Sequence, residues 1–336
     1  MNYIAASEQT GRKNRRILFA IIMIIIVLLF GLFMWATSTP GESYLGGAQA
    51  PEDIELENRL ETHVRELAVT SRNLQSTSTI KRSLAYIEGE LEGYGYAIEK
   101  QEVLTPADNL LVRLAAKTDD APILIVGAHY DTAGASPGAD DNASGVAALL
   151  ELARELKPLD GKAELEVKLV FYANEEPPYF KTNAMGSLVH ARSIHNPERV
   201  IGMISLETMG YFSTEAGSQH YPFPLSLRYP STGNFIAFVG DLTSRDFLQT
   251  VIGEFRTHAT IPSVGGTAPT LMQGIDWSDH WSYSQQGIPA IMVTDTAIFR
   301  NPHYHKESDL PDTLDYARLA LVVEGLQKTL RSLGAK

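Results

Sequence analysis

The sequence predicts an α/β protein: a three-layer α/β/α sandwich around a mostly parallel (mixed) sheet, preceded by a single transmembrane helix. Three observations carry this expectation. Strand-like and helix-like segments alternate along most of the chain, as in folds that cover a parallel sheet with helices on both faces. Several strand segments are continuous apolar runs, the pattern of a sheet buried on both sides. One uncharged stretch near the N-terminus is long enough to cross a bilayer core.

That stretch is residues 17–36, ILFAIIMIIIVLLFGLFMWA. It follows a short tail, residues 1–16, that ends in Arg12, Lys13, Arg15 and Arg16. The positive-inside rule places this basic tail in the cytoplasm and everything after the span outside it, in the periplasm or extracellular space. A cleaved signal peptide is the competing reading, with Ala48-Gln49-Ala50 as a small-residue site. That site lies far from the apolar run, which also exceeds the ~7–15 residues of a signal core, so a retained anchor is expected. Residues 37–51 are rich in Gly, Pro and small polar residues and read as a flexible linker. The folded domain is expected to span residues 52–336.

Within it, Leu56, Leu60, Val64, Leu67 and Ala68 recur at helical spacing, and Ile80, Leu84, Ile87 and Leu91 mark a second helix stopped by Gly93 and Gly95. Strands are predicted at residues 96–104, at Leu110, Val112 and Leu114, and at 122–128 (PILIVGA). A helix at 145–156, a strand at 165–173 and a helix at 186–194 follow. Residues 200–206 and 235–239 read as strands, 244–258 as a helix, 288–294 as a strand, and 314–333 as a closing helix. Residues 211–233 are aromatic and Pro-rich, which suits a loop over a cleft or a plain surface loop.

Composition narrows the function. In 336 residues, 44% are apolar and 20% charged, the profile of a globular protein. The net charge of -12 leaves no basic surplus to neutralise phosphates, which excludes a nucleic-acid binder. There is no cysteine, so any metal site must be built from His, Asp and Glu. No feature of the sequence specifies an oligomeric state.

The apolar strands end in candidate ligands. PILIVGA runs into His129-Tyr130-Asp131, LVFYA into Asn174-Glu175-Glu176, and VIGMISL into Glu207. Ligands in open α/β sheets bind beyond the carboxyl ends of the strands, so this placement is informative. Between the first two lies Gly138-Ala139-Asp140-Asp141-Asn142-Ala143-Ser144-Gly145, an acidic turn that opens a helix. Taken singly, His129 fits a hydrogen-bonded core histidine, Asp141 or Asn142 a helix N-cap, Glu175 and Glu176 a solvated turn, and Glu207 half an ion pair. Taken together they change meaning, because neighbouring carboxylates at buried strand ends repel unless a cation or proton intervenes. The sequon Asn142-Ala143-Ser144 falls inside this cluster and reads as incidental.

With AHYD, GADDNASG, NEE, SLE and YHKESD, the chain resembles the M28 family of zinc metallopeptidases from about Leu60 to its C-terminus. The resemblance implies a peptide substrate and two divalent metal ions, zinc first among them. It implies that His129 and Glu207 hold one ion, Glu176 and His305 the other, and that Asp141 bridges them. It also implies Glu175 as general base, Asp131 as the partner that orients the His129 ring, and Tyr304 as a donor to the oxyanion. Many family members carry Asp where this chain has Glu207. From spacing alone His280, His303 and His305 compete; the family pattern selects His305, which follows a Tyr and precedes Asp309. His280 is expected at a helix start capped by Ser278 or Asp279, in a structural role.

The implied activity is that of a membrane-anchored aminopeptidase. Two alternatives share the fold: a glutaminyl cyclase-like acyltransferase with a single zinc, and a non-catalytic ectodomain. The intact GADDNASG and NEE motifs favour the peptidase over the cyclase, and competent residues at every ligand position and at the base disfavour the non-catalytic ectodomain.

Overall fold

The computed structural model describes residues 2–46 and 49–335 and falls into two compact units, residues 1–38 and 39–336. The first unit is one helix, α1 (Asn2–Thr37). Its segment Asn14–Thr37 contains an 18-residue window of mean hydropathy 3.3 and is long and apolar enough to cross a membrane. The helix begins well before the apolar run. No Pro interrupts residues 2–16, so nothing stops helical hydrogen bonding from extending toward the N-terminus. Ala48, part of the small-residue site, lies outside the described residues, as do the side chains of Arg12 and Lys13.

In the second unit the chain order is α2 (Ile54–Leu67), α3 (Thr77–Gly93), β1 (Glu99–Leu104), β2 (Ala107–Leu114), β3 (Ile123–His129), α4 (Gly145–Leu156), β4 (Glu166–Tyr172), α5 (Gly186–Arg192), β5 (Val200–Glu207), β6 (Ile236–Asp241), α6 (Arg245–His258), β7 (Ser263–Ala268), α7 (His280–Ser284), β8 (Ala290–Thr294) and α8 (Tyr316–Leu333). The strands form one eight-stranded sheet in the order β1-β2-β4-β3-β5-β8-β6-β7. Its centre, β4-β3-β5-β8, is parallel, while β1-β2, β2-β4 and β6-β8 pair antiparallel.

The apolar runs alternate between two cores, as a doubly covered sheet requires. From β3, Leu124, Val126 and Ala128 join the larger core beneath α2, α3, α4, α6 and α8, while Ile123 and Ile125 join the smaller core with Tyr172, Met203 and Tyr283. The smaller face is covered by α5 and α7. β7 is absent from the sequence expectation: SVGGTA offers little hydrophobic period, and pairing with β6 rather than its own propensity makes it a strand. β1 starts at Glu99, later than expected.

The chain leaves β3 for β4 on one side and later returns to β5 on the other. This reversal opens a crevice at the carboxyl ends of the central strands.

Leu169, fully buried in β4, faces the larger core. Leu169→Ala is expected to destabilise the second unit by ~2–5 kcal/mol, measured by chemical unfolding.

Candidate active site

Five ligand-bearing segments meet at that crevice, and two carboxylates fix two of the turns among them. Asp131, just past β3, accepts the backbone N–H of Glu175 through Oδ1 and that of Glu176 through Oδ2, both at 3.0 Å. Asp309 does the same for the acidic turn, accepting from Asp140 N at 2.9 Å and Asp141 N at 3.1 Å. Each clamp spends both oxygens of one acid on two consecutive N–H groups. The turn that carries the next side chains therefore has one available orientation.

Further contacts seat the acidic turn. Asn142 donates to Leu206 O at 2.8 Å and accepts from Gly145 N and Thr208 N, both at 3.1 Å, which ties the start of α4 to the end of β5. A Cβ at Gly145 would lie 2.6 Å from Leu206 O, so only glycine permits this approach. Gly138 has φ of +63°, a left-handed conformation that glycine adopts without strain. Asp140 accepts from Gly210 N and from Asn301, at 2.9 and 2.6 Å.

Beneath this lies Arg72, which is 1% exposed. Its guanidinium donates to the carbonyls of Tyr130, Leu67, Pro137 and Gly138, lacing together the segment between His129 and Asp140. Burial lowers its pKa to about 10, while the acids Asp309, Asp131 and Asp141 oppose that shift, so it remains a cation behind the cluster. Arg72 carries no sequence signal: it lies outside the motifs, in a polar stretch between two helices.

The structure brings the candidate residues to one place. His129 Nε2 lies 3.1 Å from Glu207 Oε2 and 3.4 Å from Asp141 Oδ1. His305 Nε2 lies 3.0 Å from Asp141 Oδ2 and 3.2 Å from Glu176 Oε2. Asp141 thus faces two donor sets, His129 with Glu207 and Glu176 with His305, each compact enough to hold one metal ion. Glu175 Oε2 stands 3.9 Å from His129 Nε2. Asp131 Oδ1 is 3.5 Å from His129 Nδ1, beyond ordinary hydrogen-bond reach. Tyr304 stacks on His305 with ring centroids 3.9 Å apart.

His303 turns elsewhere, toward Ser308 Oγ at 2.9 Å. His280 is buried at the start of α7 with Nε2 2.7 Å from Ile275 O. The expected cap is not made, because Ser278 instead donates to Glu207 Oε2 at 2.7 Å, and Asp279 caps nothing.

Electrostatics give the cluster its meaning. Burial pushes the Glu175 carboxyl well up, helped by Glu176 and Glu207 against the pull of His129. Burial and Asp141 push Glu176 up to about 8, against His305. Burial disfavours the imidazolium of His305, yet hydrogen bonds to Asp141 and Glu176 raise it to about 10; His129 is likewise raised, chiefly by Glu207 and Glu175. Protons here take the place of positive charge that the acids demand. Glu176 Oε1 is buried without a hydrogen-bond partner. Imidazole and carboxylate donors with spare lone pairs fit a zinc-type ion.

Beside the cluster a cavity opens, lined by Glu207 and Tyr304 at one end and by Leu225, Tyr229, Val264 and Phe299 farther in. Tyr221, Pro222, Leu225 and Tyr229 come from the aromatic loop at residues 211–233, which does cover a cleft.

Two outcomes follow for the metal-free protein. Folded Glu176 keeps its proton to about pH 8 against an ordinary 4.5, and His305 to about 10 against 6.5. The folded chain then binds more protons than the unfolded one, so stability falls as pH rises through these windows. Thermal melts of chelated protein should give a lower Tm at pH 9 than at pH 6, and zinc should flatten that slope. Asp309→Ala, which frees the acidic turn, should weaken zinc binding by about 10–100-fold in competition titrations.

Comparison with known proteins places the chain in a family. Residues 109–329 match Peptidase family M28. The uncharacterized protein YfbL of Escherichia coli (strain K12) is 38% identical over 327 residues, 93% of this chain and 97% of its own. Leucine aminopeptidase 1 of Trichophyton equinum is 30% identical over 208 residues, 58% of this chain and 50% of its own, so the chain spans about half of that relative. Among solved structures, the LapA aminopeptidase of Legionella pneumophila matches with a TM-score of 0.63 at 18% identity, over 87% of this chain and 77% of that one. A Bacteroides thetaiotaomicron glutaminyl cyclase matches at 0.59 and 18%, over 81% and 96%. These last two likenesses establish a common fold. The chain belongs to peptidase family M28 and is a metallopeptidase, a hydrolase that acts on peptides.

Proposed function

We propose that the protein is a two-zinc aminopeptidase that removes apolar N-terminal residues from peptides, held at a membrane by α1 with its catalytic domain on the extracytoplasmic side. The observation that carries this reading is the double exposure of Asp141, with one oxygen toward His129 and the other toward His305. A single-zinc cyclase has no use for two complete donor sets around one carboxylate. A non-catalytic ectodomain has no use for a buried base beside them.

In this reading His129 and Glu207 would hold one ion and Glu176 and His305 the second, with Asp141 available to each. Such ions, when bound, polarise a scissile carbonyl and make water a better nucleophile near neutral pH. Glu175 takes the proton of the attacking water and delivers it to the leaving nitrogen. Its buried setting, which raises its proton affinity, suits a group that must hold a proton between these two events. Tyr304, whose phenol is held protonated by burial and nearby acids, donates to the developing oxyanion. Asp131 acts on the base and its neighbour through their backbone, and the Asp309 clamp does the same for Asp141.

The lining of the cavity supports the substrate preference. Apart from Glu207 it offers no charged side chain, and aromatic and aliphatic groups dominate it. An apolar N-terminal side chain loses water there at a gain, whereas a charged one loses hydration with no partner.

Glu175→Gln should retain both metals by elemental analysis while kcat falls by about 10²–10⁴-fold. Loss of metal together with activity would instead make Glu175 a ligand. Across an aminoacyl panel, leucyl and phenylalanyl substrates should exceed lysyl and aspartyl ones in kcat/KM by roughly 10²-fold. A flat profile would exclude the cavity as the specificity pocket.

A further inference from the structure

The loops around the cavity mouth carry exposed apolar side chains. Leu271 is 98% exposed, Phe223 79% and Leu227 74%, with Ile298 and Trp277 more than a third exposed beside them in sequence. Phe223, Leu227, Trp277 and Ile298 sit on three segments that line the cavity, residues 221–229, 273–277 and 296–299, and Leu271 lies two residues before the second. The charge pattern sets these segments apart. The chain has 40 Asp and Glu residues, yet over residues 216–240, 255–277 and 296–306 the one acid is Asp276, paired with Lys181 Nζ at 2.6 Å. Arg228 and Lys306 are exposed there instead.

Exposed tips differ from a binding groove. A subsite for a peptide side chain is concave and partly buries its own lining, as Leu225 and Tyr229 do. A leucine at 98% exposure is a projection, with no neighbouring wall for a ligand to lie against. Projecting Leu, Phe, Trp and Ile with exposed Arg228 and Lys306 near them, where the acids next in sequence are Asp276, paired with Lys181, and Glu307, match the chemistry of a lipid interface: apolar tips enter the acyl boundary and basic groups meet anionic headgroups. An acidic partner protein would favour the basic residues but would leave these tips in water.

We propose that this rim is a membrane-docking surface, seating the mouth of the cleft on an anionic phospholipid bilayer. It rests on the reading of α1 as a retained anchor, which keeps the domain within reach of the lipid. The consequence is a substrate class: peptides whose apolar N-termini lie in or near the bilayer surface.

The absence of cysteine makes a direct test possible, because an introduced thiol is the sole labelling site. Full-length Leu271→Cys and Leu227→Cys, each carrying an environment-sensitive fluorophore, would be reconstituted into phosphatidylcholine/phosphatidylglycerol vesicles containing nitroxide-labelled lipid. Ile201→Cys is the control, since Ile201 lies near the amino end of β5, opposite the Glu207 end. Hydrolysis of a soluble aminoacyl substrate checks that each variant is folded. Strong quenching at 271 and 227, at least several-fold above that at 201, supports the proposal. Protein that floats with the vesicles but shows equal quenching at all three positions overturns it and leaves the anchor intact. Equal quenching together with an emission change at 271 on adding a soluble apolar peptide overturns it in favour of a peptide-binding rim. Protein that does not float with the vesicles overturns both the anchor and the docking surface.

Discussion

Buried like charge is the constraint on which this structure turns. Asp141, Glu176 and Glu207 are each 5% exposed or less, with Glu175 at 6%, gathered in the crevice beyond the carboxyl ends of parallel strands. Such a cluster is unfavourable unless positive charge enters it. The chain itself supplies two imidazoles and, from behind, the guanidinium of Arg72. The remaining demand shows in carboxyls and imidazoles that hold protons far above their ordinary values, a demand that bound metal would meet.

The fold keeps the acids from relaxing apart. A sheet packed on both faces fixes His129 and Glu207 at strand ends, where the backbone cannot yield without disturbing the core. The turns between strands are softer, and they are held by Asp131 and Asp309, each gripping two successive N–H groups. Asp141 and Glu176 are thereby presented by backbone geometry, with their oxygens left over for other partners. Ser278 completes the arrangement from α7, donating to Glu207 and so aiming it toward His129.

Much of this was legible in the sequence because it is written locally. PILIVGA and VIGMISL announce buried parallel strands, and the residues that follow each run announce the crevice. The α/β/α architecture and the M28 resemblance are both matched by the structure and the comparisons. What the sequence hides is written across distance. Nothing near Arg72 shows that its partners are carbonyls at residues 130, 137 and 138, and nothing near Asp309 shows that it grips a turn some 170 residues earlier in the chain. β7 is hidden for a different reason, since Ser263–Ala268 becomes a strand through its neighbour β6 and has little preference of its own. The extension of α1 through the basic tail was missed because hydropathy marks where a membrane span begins and not where its helix does.

One carboxylate facing two imidazole-bearing sets is the centre of the account, and anomalous diffraction from zinc-loaded crystals addresses it most directly. Two zinc peaks are expected, one between Asp141 and the His129–Glu207 pair and the other between Asp141 and the Glu176–His305 pair. A single peak, or two peaks of which neither is bound by Asp141, would contradict it.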